Sequence, residues 1–353
     1  MVLQYSYGTA LLEGDVTMIK ITISDIAKEA GVSKSTVSRV LNGKPDVLPR
    51  TKERVLEVIE KYNFQPSALA VSMAQKKTNC IGLAIPHDID YIFKNQYYSE
   101  LHRTILKIAH KRKYLVLLLC CTDLQEASNA VRQKRLDGLI VISPVNSHLA
   151  AIQTFKDHEI PFVVIGSCPL DNSIYQIRIN DYKGIVCAIE YLWELGHRDI
   201  AFINGPMYLP SSVERLKAYH DITFKYGLKK YDYEGRHSLE SGYKFATIVL
   251  DEHPEVTAFC VSSDYMAIGV EKAVFARGLR VPEDISVIGF DNIPISEQVT
   301  PTLSTIDQFI EEKAIKSMNI LLDIIEKKDI KYPYIINIEP KLCIRQSTAP
   351  KSS

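Results

Sequence analysis

From about residue 79 onward the chain alternates short apolar runs with longer amphipathic stretches, and no other feature constrains its fold as tightly. The apolar runs fall at 81–85, 115–120, 138–142, 162–165, 200–203, 259–262 and 285–289. Helical periodicity lies between most of them, as at 98–110, 182–195, 266–277 and 309–326. Such alternation predicts parallel sheets with helices on both faces. It persists over ~270 residues, more than one core usually spans, so two sheets are expected. Ligands of such folds bind outside the carboxyl ends of the strands, which in a two-lobed version is the cleft.

The preceding segment has a different texture. Between Thr22 and Tyr62 the pattern predicts three short helices. Thr22 and Asp25 have capping-box spacing ahead of Ile26, Ala27 and Ala30, and Gly31 breaks that helix. Ser33 is placed to cap a second helix over 34–41, which faces Val37, Val40 and Leu41 inward and ends at Asn42-Gly43. A third is expected over about 50–62, with Val55, Leu56 and Ile59 apolar. A further short helical segment starts at Pro66. Residues 1–17 show no periodicity, and Met18 is expected to be the natural start, with the preceding residues a disordered extension.

Charge separates the same regions. Net charge is zero, but residues 19–78 carry 11 Lys/Arg and 6 Asp/Glu, leaving an acidic remainder. A basic head on an acidic body suits contact with phosphate. No apolar run is long enough for a membrane span, and no secretory signal opens the chain, so a cytoplasmic protein is expected. The seven cysteines include no Cys-x-x-Cys pair and read as reduced thiols, those at 80, 120, 121, 260 and 343 in apolar runs. Neither a metal site nor a cofactor is expected.

Two helices joined by a tight turn, with hydrogen-bonding groups on the outer face of the second, form a helix-turn-helix. Here the outer face carries Lys34, Ser35, Thr36, Ser38 and Arg39, side chains able to reach base edges or phosphates. A small helical bundle with a solvated Ser/Lys face has the same bare pattern. The residues themselves are more specific. The stretch from Ile23 to Gly43, Thr51-Lys52-Glu53-Arg54-Val55, Tyr62-Asn63-Phe64-Gln65-Pro66, Gly196-His197-Arg198, the stretch from Val281 to Asp291, Pro301-Thr302-Leu303 and Arg345-Gln346-Ser347-Thr348 resemble the lactose-repressor (LacI/GalR) family.

The resemblance implies an all-α helix-turn-helix head plus an α/β periplasmic-binding-protein-like core of two Rossmann-like lobes. The head would occupy 19–65, a hinge helix and linker 66–78, and the core 79–350. One lobe would comprise about 79–177 and 307–337, the other about 178–306 and 338–350, with crossovers near Ile177, Ile306 and Asn337. It further implies a homodimer reading a pseudo-palindromic operator. Lys34 and Ser35 would read bases, Ser33, Thr36 and Asn42 would contact the backbone, and Arg39 matches a family arginine. Met73 stands where the family's hinge wedges a leucine into the minor groove. Methionine is an acceptable but more flexible wedge.

In the core, the resemblance places a small-molecule effector, a sugar or sugar phosphate, against Arg215, Asp291, Tyr97, Tyr98 and Asp264. Planar bidentate groups and aromatic rings suit vicinal hydroxyls and apolar sugar faces. From the residues alone, Arg215 also fits a surface helix, Asp291 a turn cap, the tyrosines core packing and Asp264 a helix cap. The family's Arg-x-x-Gly has Ala218 in place of glycine, and Gly166 stands where some members carry an acid. The segment from His87 to Asn95 is longer and more charged than the family's loop. The expected role is a ligand-switched repressor of carbohydrate-utilisation genes. The alternative is the same DNA-binding role controlled by a phosphorylated carrier protein. Enzymatic function is not expected, because the chain lacks the phosphate-binding and nucleophile-elbow motifs.

Overall fold

The computed structural model describes residues 21–41, 43–64, 77–87, 89–120 and 124–351. The expected extension over 1–17, Asn42 and the hinge with Met73 lie outside the described residues. The chain divides into a head, up to Lys76, and a core from Lys77.

In the head, Thr22 and Asp25 form the reciprocal capping box that their spacing requires and start α1, Ile23–Glu29. Gly31 follows at φ +62°, a left-handed conformation that glycine adopts without Cβ strain. Helix α2, Lys34–Leu41, begins where the Ser33 hydroxyl accepts the Thr36 N–H at 3.1 Å. Helix α3, Pro49–Lys61, opens on proline, where a missing N–H has no cost. Ile26, Ala27, Ala30, Val37, Val40, Val55 and Val58 form one buried core. Leu56, one of the three apolar residues noted in this helix, is exposed, because Val55 and Val58 one turn apart define the buried stripe. Lys61 ties α3 to Glu29 of α1 at 2.5 Å.

The core contains two six-stranded sheets. The first half runs β1 Cys80–Ile85, α4 Ile89–Lys94, α5 Gln96–Lys111, β2 Leu115–Cys120, α6 Gln125–Arg132, β3 Gly138–Ile142, α7 Leu149–Asp157, β4 Phe162–Ile165 and β5 Gln176–Ile179. The second runs α8 Asp181–Glu194, β6 Ile200–Asn204, α9 Pro210–Lys225, β7 Tyr231–Glu234, α10 Leu239–Glu252, β8 Ala258–Val261, α11 Asp264–Ala276, β9 Ser286–Asp291 and β10 Ser304–Asp307. Then come α12 Ile310–Ile325, β11 Ile335–Ile338 and β12 Lys341–Cys343.

Strand orders are β11-β5-β4-β3-β1-β2 and β12-β10-β9-β8-β6-β7. All pairings are parallel except β10 with β12. The chain passes between the sheets after β5, after β10 and between β11 and β12. Strands such as β3 and β6 are buried along their whole length, as strands covered on both faces must be. Side-chain caps fix the starts of several helices. Asn95 accepts the Tyr97 N–H, Asn180 the Lys183 N–H and Ser263 the Met266 N–H.

Some segments differ from the sequence expectation. The stretch after His87 holds the short helix α4, not only a loop, because Ile92 anchors it in the core. Strands β5, β7, β10, β11 and β12 lack long apolar runs; β7, β11 and β12 are at or next to a sheet edge, where one side of the strand can face water. Among the described cysteines Cys168 and Cys260 are fully buried, while Cys120 and Cys343 are half-buried because β2 and β12 are edge strands, and Cys80 is half-buried at the first residue of β1. No helix among the described residues is long and apolar enough to cross a membrane.

Candidate functional site: a recognition helix and an interlobe cleft

On α2, Lys34, Ser35 and Arg39 are exposed, while Thr36 and Ser38 are half-buried. The Ser33 hydroxyl is hydrogen-bonded to those of Ser35 at 2.7 Å and Thr36 at 2.8 Å. This cluster caps the helix and orders its first turn, where the most exposed donors stand. Arg39 lies 3.6 Å from Asp46, an exposed pair that constrains it weakly. The head therefore presents a capped helix with exposed cationic side chains and hydroxyls between them.

The core has a cavity of about 460 Å³. Its lining comes from the carboxyl ends of strands in both sheets and the segments that follow them. Residues after β1, β3 and β4 form one wall, those after β6 and β7 the other, and the β5, β9 and β10 ends join them. This is where a doubly wound sheet leaves backbone groups and side chains pointing into a crevice.

Arg215 on α9 is buried in this wall. Its Nε donates to Asp181 Oδ1 at 2.7 Å, its Nη1 donates to the Ser262 carbonyl at 2.6 Å, and its guanidinium lies 3.7 Å from the Phe290 ring centroid. Three independent contacts fix its plane, as a bidentate ligand clamp requires. Asp291, at the end of β9, lines the same cavity at φ 124°, a strained conformation for a non-glycine residue. Burial raises its carboxyl above the usual range, against the opposing charges of Arg215 and Lys313.

A polar chain crosses between the lobes. Gln308 donates to Asp291, Lys313 Nζ donates to Gln308 Oε1, and Lys313 also donates to the Tyr97 hydroxyl at 3.1 Å. Burial holds the Lys313 ammonium down at about 7. Tyr97 and Tyr98 pack edge to face at 5.3 Å, and Tyr91 and His87 extend the aromatic cluster. Burial pushes the hydroxyls of Tyr91, Tyr97 and Tyr98 up, so they stay protonated donors. His237 is fully neutral near pH 7, because burial lowers it to about 3, and its Nδ1 has no hydrogen-bond partner.

The structure places Arg215, Asp291, Tyr97 and Tyr98 in the lining of one cavity. Asp264 is a correction. It does not line the cavity and is fully buried at the start of α11. Its carboxylate accepts the Ile293 N–H at 2.9 Å and the Thr305 hydroxyl, joining α11 to the ends of β9 and β10. A Cβ on Gly289 would come within 2.3 Å of it, so the strand is cut back to admit the acid. His197, from the Gly196-His197-Arg198 motif, is likewise structural. It bridges Thr257, Ser286 and the Ala349 carbonyl at 2.9 to 3.1 Å, pinning the C-terminal segment.

Sequence reasoning missed Asp181, His237, Gln308 and Lys313. Lys313 left a signal: with Ile310, Ala314, Ser317 and Leu321 it occupies the buried stripe of α12, where a lone charge is unusual. The others gave none, since each follows a strand end that the sequence pattern did not mark.

A DNA-reading head joined to a two-lobed core with a hydroxyl-matching cleft defines a ligand-responsive DNA-binding regulator. Comparison with known proteins agrees. The profile of bacterial regulatory proteins, lacI family, matches residues 22–67, and that of the periplasmic binding protein-like domain matches 189–348. Catabolite control protein A of Priestia megaterium is 34% identical over 338 residues, covering 94% of this chain and 100% of that protein. The lac repressor dimer bound to operator and the anti-inducer ONPF is 28% identical with a TM-score of 0.81, covering 93% of this chain and 99% of that one. A LacI family regulator from Enterococcus faecium with bound ribose is 27% identical with a TM-score of 0.67, covering 77% and 100%. The chain belongs to the LacI family of transcriptional regulators.

Proposed function

We propose that the chain is a repressor of carbohydrate-utilisation genes that binds a pseudo-palindromic operator as a homodimer and is switched by a sugar in the interlobe cleft. The observation that carries this reading is the cavity itself. Its volume of about 460 Å³ suits a small ligand. It offers a fixed guanidinium, a carboxyl, protonated phenols and aromatic rings from both lobes. The relative solved with ribose supports a sugar as occupant, and the lac repressor dimer on its operator supports the dimeric, DNA-bound state.

The switch follows from the lobes sharing the ligand. Tyr97 and Lys313 belong with the first sheet, Arg215 and Asp291 with the second. A ligand that touches both groups favours one lobe arrangement by its differential contacts alone. Such a coupling shifts operator affinity by about 1–3 kcal/mol. Operator binding by the full chain, measured with and without each of a panel of sugars, tests this. At least one sugar should change affinity by about fivefold or more. Unchanged affinity with a sugar that saturates the cleft would overturn the switch.

A further inference from the structure

Among the described residues, Arg178 is a cleft cation with no acid in hydrogen-bond reach, directly or through a bridging side chain. Arg178, in β5, lines the cavity next to Asn337, its register partner on β11. On the other side, Gly166 N donates to the Ile177 carbonyl, so the β4 neighbour of Arg178 carries no side-chain charge either. The buried Gln176, two residues earlier on the same face, accepts from Arg178 Nε at 3.0 Å and Nη2 at 2.5 Å. Gln176 is itself fixed by the Cys168 N–H at 2.7 Å and the Asp171 carbonyl at 3.2 Å. The guanidinium is thereby oriented along one edge, while its Nη1 and Nη2 end-on edge keeps donors for a ligand.

The other cavity charges are accounted for. Arg215 is paired with Asp181, and Lys313 is linked through Gln308 to Asp291. Glu214, the third carboxylate of the lining, is exposed on α9. Burial lowers the Arg178 guanidinium from its ordinary range, and no carboxylate lies close enough to offset that. A half-buried, oriented guanidinium without a counter-charge is stabilised by an anion, and its end-on edge matches a carboxylate or phosphate bidentately.

We propose that Arg178 anchors an anionic group of the cleft ligand, so that the effector is an acidic monosaccharide bearing a carboxylate or a phosphate. This rests on the reading of the cleft as a sugar site and narrows it: neutral sugars leave Arg178 without its partner.

The test compares matched probes on the full chain by calorimetry and thermal shift. The pairs are D-glucose with D-glucuronate, D-galactose with D-galacturonate, and D-glucose with glucose-6-phosphate. At least one acidic member should bind at least about tenfold more tightly than its neutral counterpart. Its binding should weaken with salt, fall at least about tenfold in Arg178→Gln and fall less in Arg178→Lys. The uronates and the phosphate tell the two anions apart. Equal binding of neutral and acidic partners, full affinity in Arg178→Gln, or no binding by any acidic sugar each overturns the proposal. The underlying sugar reading is judged separately, because binding of a neutral sugar sustains it even when the anionic proposal fails. Melting without ligand shows whether either variant has altered the fold.

Discussion

Arg215 and Asp181 meet at 2.7 Å in the cleft wall, one from the middle of α9 and the other from the first residue of α8. Both side chains are largely buried, so the pair acts as a structural strut in the cleft wall. Arg215→Met strands the Asp181 carboxylate and should cost about 2–4 kcal/mol of stability. Arg215→Met with Asp181→Leu should cost less than Arg215→Met alone, because neither charge is then left without its partner. Urea denaturation of the two variants checks this; equal losses would mean the pair contributes nothing as a pair.

The two carboxyls expected at the ligand should separate by phenotype. Asp291 lines the cavity, whereas Asp264 joins α11 to the ends of β9 and β10. Asp264→Ala leaves the Ile293 N–H and the Thr305 hydroxyl unpaired and should destabilise by about 2–4 kcal/mol. Asp291→Asn keeps the shape of the site and should chiefly weaken ligand binding. Thermal melts alongside ligand titration would report the contrast, and a stable Asp264→Ala with impaired ligand binding would reverse the assignment.

Glu271 on α11 should make stability fall with pH. The residue is buried, its Oε1 has no hydrogen-bond partner, and burial raises its carboxyl from 4.5 to about 8. Between those values the folded state holds a proton that the unfolded state releases. The stabilisation is therefore present below pH 4.5 and lost as pH rises through 8. Glu271→Gln should remove this slope and exceed the wild type at pH 8 by on the order of 4 kcal/mol. Parallel pH profiles for the two proteins would refute the assignment.

The exposed face of α2 predicts how operator binding fails. Lys34→Ala should relax preference at particular base pairs, with a change of about 1–3 kcal/mol in discrimination. Thr36→Ala should weaken binding on all sequences alike. Gel-shift titrations on operators altered at single base pairs would distinguish them. A Lys34→Ala variant that keeps wild-type discrimination at every position would remove Lys34 from base reading.

What the sequence determined was local. Thr22 with Asp25, Gly31 and the apolar stripe of α2 produce the helix-turn-helix from contacts only a few residues apart. Continuous apolar runs are enough to mark the strands buried on both faces. They do not mark β5 or β10, whose polar residues point into the cleft or into buried hydrogen bonds. Arg215, Asp291 and the two tyrosines were legible because each sits in a recognisable local pattern. The tertiary structure decided the rest. Lys313 and Tyr97 are 216 residues apart and meet only because α12 returns to pack with α5 on the first sheet. Asp264, three residues beyond β8, looked like its cleft neighbours in sequence and was withdrawn into the core by Ile293 and Thr305. Arg178 stands without a counter-charge because of what surrounds it: glycine on one side, asparagine on the other and no acid at either position. A side chain's chemistry follows from its type, but its charge balance and exposure depend on neighbours that only the folded chain supplies.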